Sequence, residues 1–362
     1  LTSLLGALPL LNPDGLHNNF SGLYAQAEMT IMPSLKFVGA ARLDRSTFFE
    51  TQFSPKAAFV FTPIQDHTFR LTLNRSFLRP SYADLYRYSP AGAPVNLAAI
   101  DSVISNRYQV TPLGLQKATQ QWNLGNPNIQ VETAMSYEFG YKGIISKDLF
   151  VTVDAYMNRR TNFISVPLGG LAPDVYTPIR YDNPQANADL KTELDKINRL
   201  YYDRLAKMPQ TGLPALIITP KNIGIINEYG LEVGVNYYVM TGLLAQVNYA
   251  YLDFNVEENT LQAQKIVPNT SPHRLNIGLQ YEQNGLEIGA QLRGVKGFTW
   301  VAGLFEGYVP EYWLLNLNVG YAITPDIKAS ATIFNALDRR HYQIFGGTIL
   351  QRMASMNVTL NL

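Results

Sequence analysis

A strict alternation of apolar and polar residues runs through the stretch from Ile223 to Phe254. From Leu231 to Val239 every second residue is apolar, and the pattern resumes from Leu243 to Tyr251 after a short turn at Met240–Gly242. A period of two is typical of a β-strand, and two such strands joined by a short turn form a hairpin. Each apolar band has the roughly 9–11 residues that a tilted strand needs to cross a bilayer. One face would then meet lipid and the other would line a lumen.

The same alternation returns along most of the chain and predicts about thirteen strands. Between them, connections of a few residues alternate with long ones. The predicted strands are Asn19–Ile31, Leu35–Arg45, Phe53–Thr62, His67–Phe77, Val131–Ile145, Leu149–Arg159, the two in the stretch just described, His273–Glu282, Leu286–Phe298, Tyr312–Ile323, Ile327–Asn335 and Thr348–Leu362. The long connections are Leu78–Gln130, Arg160–Asn222, Asn255–Ser271, Thr299–Pro310 and Ala336–Gly347.

This order of connections places every long loop at one end of the strands. Bacterial outer-membrane barrels have short periplasmic turns and long extracellular loops, whereas a soluble β-sandwich has no need of such an arrangement. The sequence therefore predicts an all-β fold, a transmembrane antiparallel β-barrel whose last strand runs towards the periplasm. A soluble all-β protein is the alternative. The strands alternate cleanly and no complementary inner sheet is evident, which counts against it.

Composition excludes several classes of function. The chain has 362 residues, of which 46% are hydrophobic and 16% charged, and its net charge is +1, so no basic surface indicates nucleic acid binding. It contains no Cys, which excludes disulfides and thiol chemistry. No apolar run reaches about 18 residues, so no transmembrane helix is expected.

Short motifs fall on these strands in one order that is similar to a known family. Each motif is weak alone, but together they resemble the C-terminal barrel of TonB-dependent outer-membrane receptors. The motifs are Tyr24-Ala25-Gln26 with Ala41-Arg42-Leu43-Asp44, Ser54-Pro55-Lys56, Leu73 to Ser81 followed by Leu85-Tyr86, Gly125-Asn126-Pro127-Asn128-Ile129 with Glu132 and Tyr137-Glu138-Phe139-Gly140, Tyr229-Gly230-Leu231-Glu232, Pro272-His273-Arg274, Asn335 to Tyr342, and Gln351-Arg352. The chain departs from the family pattern at Gln351, where Gly is usual, and at Leu362, where the family ends in an aromatic residue.

The resemblance implies a plugged barrel of about 22 strands in the bacterial outer membrane. No stretch of residues 1–362 matches the family's plug or roughly its first nine strands, so the whole chain is expected to be the C-terminal part of the barrel domain. A fragment would leave two unpaired strand edges, which a membrane does not tolerate. Either the missing part exists in the real protein, or these strands close into a smaller barrel of their own.

The function that the resemblance implies is TonB-energised uptake of a scarce bulky ligand of the siderophore, cobalamin or carbohydrate type. The expected partners are outer-membrane lipid, the TonB complex acting through the plug region, and a small-molecule or metal-chelate ligand. The protein is expected to be a monomer, and no cofactor or nucleic acid partner is implied. A passive outer-membrane porin is the alternative function, and an adhesin barrel that binds a surface partner is a third.

Enzymatic motifs are absent from the sequence. There is no G-x-S-x-G, H-E-x-x-H or P-loop pattern, so no catalytic residue is assigned. The four histidines, His17, His67, His273 and His341, are far apart in sequence, and no metal site is expected.

Aromatic residues in the long loops are the candidates for ligand contact. Aromatic faces with a nearby Arg suit siderophores, sugars and corrinoids equally well. The same rings could instead form the interfacial girdle or pack the loops together. The primary candidates are Arg79, Tyr82, Tyr86, Trp122, Trp300, Tyr308 and Tyr342, and Tyr88, Phe305 and Phe345 share their setting. Arg75 and Arg79 are also expected to form ion pairs with carboxylates such as Asp84.

One helix is predicted in a loop, at Ala186–Lys207. Its apolar residues Leu190, Leu194, Ile197, Tyr201 and Leu205 recur every three to four positions. Such a helix could close over a captured ligand, or it could cap the long loop, and the second role is the more common one.

Overall fold

Thirteen strands form one continuous antiparallel sheet in the computed structural model, which describes residues 17–165, 175–259, 265–302 and 305–360. The described strands are β1 (Phe20–Met32), β2 (Leu35–Ser46), β3 (Gln52–Ile64), β4 (His67–Leu78), β5 (Tyr88–Val95), β6 (Thr119–Leu124), β7 (Glu132–Ser146), β8 (Leu149–Thr161), β9 (Leu205–Lys207), β10 (Pro214–Ile218), β11 (Gly224–Met240), β12 (Leu243–Asn259), β13 (His273–Gln283), β14 (Leu286–Val295), β15 (Phe298–Ala302), β16 (Phe305–Val309), β17 (Tyr312–Thr324), β18 (Ile327–Phe334) and β19 (Met353–Leu360). The order in the large sheet is β1-β2-β3-β4-β7-β8-β11-β12-β13-β14-β17-β18-β19.

Within the described residues, four helices lie in the two longest connections. They are α1 (Tyr82–Tyr86), α2 (Ala98–Tyr108), α3 (Pro184–Ile197) and α4 (Tyr201–Arg204). None of the described helices has the length and hydropathy of a membrane-spanning helix.

The hairpin predicted from the alternation is confirmed. Leu231 pairs with Tyr251, and Val235 pairs with Val247, so apolar residues stand opposite apolar residues on one face. The turn closes where Met240 pairs with Leu243 and Gly242 takes a φ of +81°, which glycine adopts without strain. The next strand continues the same row, because Val247 also pairs with Ile277.

The two faces of the sheet differ in chemistry, as a wall between lipid and lumen requires. On the outer face large apolar side chains such as Tyr137, Phe139 and Leu279 are exposed. On the inner face charged residues of neighbouring strands meet, and Arg70 lies 3.7 Å from Glu138 and 3.4 Å from Asp154. The alternation of an apolar and a polar face that the sequence predicts is therefore confirmed.

Several strand predictions need correction. The last strand begins at Met353 rather than Thr348, because Leu350 instead bridges His341 in the preceding loop. The predicted end of that strand at Leu362 lies outside the described residues. Strands β5, β6, β10 and β16 lie in stretches that the sequence indicates only as loops. Strand β9 lies within the predicted helix Ala186–Lys207, and β15 begins at Phe298, where the predicted strand Leu286–Phe298 ends.

The prediction of one loop helix at Ala186–Lys207 is wrong in number and in extent. The helix begins earlier, at Pro184, because Asn183 caps it by accepting hydrogen bonds from Gln185 N and Ala186 N. It ends at Ile197, where Asn198 turns to an extended conformation with φ −159°, and α4 follows as a separate turn. Helices α1 and α2 in the preceding long connection were not predicted.

The described strands do not close into a small barrel. Within the described residues β1 pairs only with β2 and β19 pairs only with β18, so no ladder joins the two ends of the sheet. The hypothesis of a separate smaller barrel is therefore not supported by the strand pairing.

The two faces predict opposite responses to one added charge. Val247→Arg places a guanidinium on the lipid face and should lower the free energy of unfolding by about 2–4 kcal/mol. Gln246→Arg, the adjacent inner-face position on the same strand, should cost less than about 1 kcal/mol. Urea unfolding of the full protein in lipid vesicles measures both. Equal costs for the two variants would contradict the assignment of the faces.

Candidate functional site

The two longest extracellular connections fold into one unit, which we call the loop module and which comprises residues 79–131 and 175–223. Its centre is a four-stranded sheet in the order β5-β6-β10-β9. The two connections meet where β10 pairs with β6 in parallel, with Ile217 opposite Trp122. The module therefore joins segments that flank the β7–β8 hairpin of the barrel wall.

Helices cover one side of this small sheet and bury an apolar core. Leu190 and Leu194 of α3 and Leu205 of β9 have no exposed surface, and Leu97 and Ile104 meet them from the first connection. The amphipathic spacing of the second connection thus predicted the buried residues correctly, except Ile197, which is exposed. The role of α3 as a cap on its loop accords with this burial.

A buried carboxylate organises the first connection. Asp101 of α2 accepts hydrogen bonds from the backbone N–H groups of Leu113 and Leu115. The hydroxyl of Tyr181, from the second connection, donates to the same carboxylate at 2.7 Å. Burial raises the pKa of Tyr181, and the hydrogen bond to Asp101 raises it further.

A second polar contact fixes α2 against α3. Asp189 accepts hydrogen bonds from the Tyr108 hydroxyl at 2.9 Å and from Arg107 Nη1 at 2.7 Å. The Tyr108 hydrogen bond, followed by that of Arg107, holds the pKa of Asp189 below its ordinary value. The carboxylate therefore links two helices that belong to different connections.

Asparagine side chains tie the base of the module together. Asn222 donates to Gln130 O and Asn162 O and accepts from Gln130 N. Asn126 donates to Pro220 O and accepts from Asn128 N, which places the Asn-Pro-Asn motif at the junction of the two connections. Amide groups carry both donors and acceptors, so they can satisfy backbone groups of two loops at once.

The structure places Tyr82 and Tyr86 against the ring of Phe48, and it places Arg79 in a separate contact with the ring of Phe20. The ring of Phe48 lies 5.4 Å from each of the Tyr82 and Tyr86 rings, and Arg79 lies over Phe20 at 5.8 Å. Tyr82 is exposed, so its ring is available to a ligand. We call Arg79, Tyr82, Tyr86, Phe48 and Phe20 the rim cluster.

The expected ion pairs of Arg75 and Arg79 with Asp84 are not formed among the described residues. Asp84 instead accepts from Ser81 N and Oγ and completes the N-terminal capping box of α1. Arg75 donates to Phe53 O and to Gln52. The Asp84 carboxylate caps the short helix α1 because Ser81 stands three residues before Asp84, which is the spacing of a capping box.

Trp122 lies inside the loop module. Its ring stands 4.7 Å from that of Tyr88, and both pack against Leu124, Ala206 and Ile217 on the side of the small sheet opposite the helices. Tyr176 closes this second core, and burial raises the pKa of Tyr176 to about 12. Trp122 is therefore a partly buried side chain that packs against this second core.

Trp300, Tyr308 and Tyr342 come together in a second site, on the β15–β16 hairpin. Trp300 and Tyr342 pack against a small core that contains Val309 and Tyr312. The Tyr342 hydroxyl donates to Tyr308 O at 3.0 Å, and the exposed Phe345 ring lies directly over Gly307. The side chain of Phe305 lies outside the described part of the chain.

The candidates thus lie in separate places, at the strand ends next to β1 and β4, in the module core and at the β15–β16 hairpin. Strands β7, β8, β11, β12 and β13 stand between β4, which leads to the rim cluster, and β14, which leads to the hairpin. Sequence reasoning missed Phe48 and Phe20, because both lie at strand ends where an aromatic residue is equally expected in the interfacial girdle. In the described ranges no group of three or more His, Asp or Glu side chains is placed to hold a metal ion.

The comparisons with known proteins agree on one family of folds. The family model described as "TonB dependent receptor-like, beta-barrel" matches residues 2–336. No curated protein sequence matches the chain.

Solved structures of outer-membrane receptors have the same fold at low sequence identity. A point mutant of the ferric enterobactin receptor PfeA of Pseudomonas aeruginosa is 15% identical with a TM-score of 0.64, and the match covers 99% of this chain and 47% of that one. The siderophore receptor PirA of Acinetobacter baumannii is 12% identical with a TM-score of 0.65, over 94% and 45%. The copper transporter OprC is 14% identical with a TM-score of 0.61, over 95% and 48%. The chain spans about half the length of these structures.

The Asp189 contacts predict that the loop module loosens in acid. A carboxyl whose pKa is lowered on folding stabilises the folded state above its ordinary pKa, about 3.9, and this stabilisation is lost as the pH falls through the lowered value. Hydrogen exchange of α2 and α3, corrected for intrinsic rates, should therefore increase below about pH 4 in the wild type. Asp189→Asn should remove this acid step. Asp195→Asn, which removes a carboxylate that pairs with Lys191 within α3, should retain it.

The buried face of α3 predicts a strong contrast between two aliphatic substitutions. Leu190→Ala leaves a cavity in the module core and should cost about 2–5 kcal/mol of local stability. Ile197→Ala, on the exposed side, should cost about 0.5 kcal/mol or less. Protection of α3 amides from hydrogen exchange in the folded barrel measures both. Similar protection in the two variants would show that the module core does not hold α3.

Proposed function

Because this chain belongs to the family of TonB-dependent receptor β-barrels, which lie in the bacterial outer membrane, we propose that it provides the wall and binding loops of an uptake receptor. The ligand is a scarce, bulky small molecule, with a siderophore as the first candidate. The family match over residues 2–336 carries this proposal. The loops of the chain are consistent with a receptor, since the longest two are folded around a core of their own.

Folded loops favour a receptor over a passive channel for a physical reason. A surface that is already ordered loses little conformational entropy when it binds, so more of its contact energy appears as affinity. The Asp101 and Asp189 contacts order the loop module before any ligand arrives. A diffusion channel binds its solutes weakly and therefore gains less from such ordering.

The chemistry of the exposed groups supports an aromatic or chelating ligand. The rim cluster presents the exposed Tyr82 ring and the exposed Arg79 side chain, and the hairpin presents Tyr308 and Phe345. Aromatic rings stack on ligand rings, and a guanidinium attracts the negative charge of a ferric catecholate chelate. Cobalamin and carbohydrates can use the same rings, so the ligand is assigned as a class.

Energy for uptake would come from outside this chain. In the proposed receptor a plug region fills the lumen, and the TonB complex acts on that region. The barrel and loops bind the ligand on the extracellular side, and plug movement admits it. The protein would act as a monomer, with outer-membrane lipid around it.

Uptake by the full-length protein tests the proposal. In cells that lack other siderophore receptors, labelled ferric enterobactin should accumulate only when TonB is present. Tyr82→Ala should weaken ligand binding by about 1–3 kcal/mol if its ring stacks on the ligand, whereas Trp122→Phe, inside the module, should leave binding within about 0.5 kcal/mol. Cobalamin and a maltooligosaccharide serve as the other two probes.

The outcomes separate the alternatives. Entry of small unrelated solutes without TonB would identify a passive channel instead. Failure of all three probes together with firm attachment of the cells to a surface would favour the adhesin hypothesis. Equal effects of the Tyr82 and Trp122 substitutions would remove the rim cluster from the ligand site while leaving TonB-dependent uptake intact.

A further inference from the structure

A groove opens on the lipid-facing side of the wall between β12 and β17. Four residues form one horizontal row through the ladder, in the order Tyr249, Leu275, Gly294 and Trp313. The two ends of the row, Tyr249 and Trp313, carry large aromatic side chains. Between them stand Leu275, which is smaller, and Gly294, which has no side chain. The hollow between the aromatic walls has a volume of about 340 Å³, within the range of about 300–1,000 Å³ that small-molecule sites occupy.

Glycine is essential to the shape of this groove. The Trp313 ring leans over Gly294, and a Cβ at that position would lie 2.6 Å from the ring. Any side chain at Gly294 would therefore displace the Trp313 ring. The absence of a side chain at Gly294 therefore leaves room for the Trp313 ring and makes the groove deeper at this position.

The rows above and below the groove differ in polarity. The row below is aliphatic, with Val247, Ile277, Leu292 and Leu315 in register. Above the groove lie His273, Lys296 and Glu311, at the extracellular ends of the strands. A cross-section from the strand ends towards the bilayer centre therefore passes from charged groups through the groove to an aliphatic surface.

The polar groups above the groove are held in place by one another. Lys296 Nζ donates to Glu311 Oε2 at 2.9 Å, and Trp313 Nε1 donates to Glu311 Oε1 at 3.3 Å. The hydrogen bond to Glu311 raises the pKa of Lys296, so the ammonium group stays charged at neutral pH. An ammonium has three N–H donors, and the contact with Glu311 uses one of them.

We propose that this groove is a binding site for a phosphate-bearing membrane lipid, with one acyl chain lying over Leu275 and Gly294 and the phosphate group at Lys296. The bilayer surrounds this face of the wall, and an apolar hollow at its level is filled most favourably by a hydrocarbon chain. The aromatic residues at the groove fit the interfacial position that Tyr and Trp prefer. The order of charge, groove and aliphatic surface matches the order of headgroup and chain in a lipid. The site is independent of the ligand that the receptor takes up.

Native mass spectrometry of the full-length protein, extracted from its membrane in a mild detergent and washed to remove loosely bound lipid, tests the site. The wild type should retain one phosphate-bearing lipid. Leu275→Trp fills the groove and should lower retention by about tenfold or more, as expected when about two methylene groups lose their burial. Leu279→Trp, an equally apolar outward position on β13 outside the groove, is the matched control and should retain the lipid.

A second variant tests the headgroup contact. Lys296→Gln should lower retention of the phosphate-bearing lipid about threefold, since a partly exposed ion pair contributes modestly, and should leave retention of an added neutral diacylglycerol unchanged. Heat-modifiable gel mobility shows that each variant is folded. The proposal is overturned if the wild type retains no lipid, if Leu275→Trp retains as much as Leu279→Trp, or if Lys296→Gln retains both lipids as the wild type does.

Discussion

The need to satisfy every backbone N–H and C=O group inside a bilayer governs this structure. Lipid offers no hydrogen-bond partners, so a chain that spans it with strands must pair each strand on both sides. The continuous ladder from β1 to β19 does so for eleven of its thirteen strands within the described residues. The alternation of side chains follows from the same ladder, since each strand must then present one face to lipid and the other to the lumen.

Outside the bilayer the chain solves a different problem. The long connections cannot rely on lipid to cover apolar side chains, and they bury them against each other. Leu190 and Leu97, from different connections, share one core. Polar groups next to this core have hydrogen-bond partners, as the Asp101 carboxylate has in the Tyr181 hydroxyl. The result is a wall whose stability is set by the membrane, joined to a module whose stability is set by ordinary packing.

Local patterns in the sequence predicted the wall well and the module poorly. Period-two alternation and short turns are local properties, so the register of Leu231 opposite Tyr251 follows from reading the hairpin alone. The pairing of Ile217 with Trp122 depends on two segments that lie far apart in sequence, and neither segment is long enough to show a period.

The helix from Pro184 was detectable by its leucines, but its end at Asn198 was not, because the apolar spacing continues to Leu205 past the break. Of the candidate ligand residues, the grouping of Tyr82 with Tyr86 follows from their closeness in sequence, whereas the partial burial of Trp122 could be seen only once β10 was placed beside it.

The parallel pairing of β6 with β10 also constrains how the barrel can be assembled. These two strands lie on either side of the β7–β8 hairpin in the chain, and their contact closes a loop that contains the whole hairpin. The entropic cost of closing a loop grows only slowly with its length, so such a closure is feasible once both ends have reached the cell surface. The β6–β10 contact then restrains the hairpin. Because the two outer ends of the hairpin are joined above the membrane, withdrawal of β7 and β8 towards the periplasm would first require the module core to unfold.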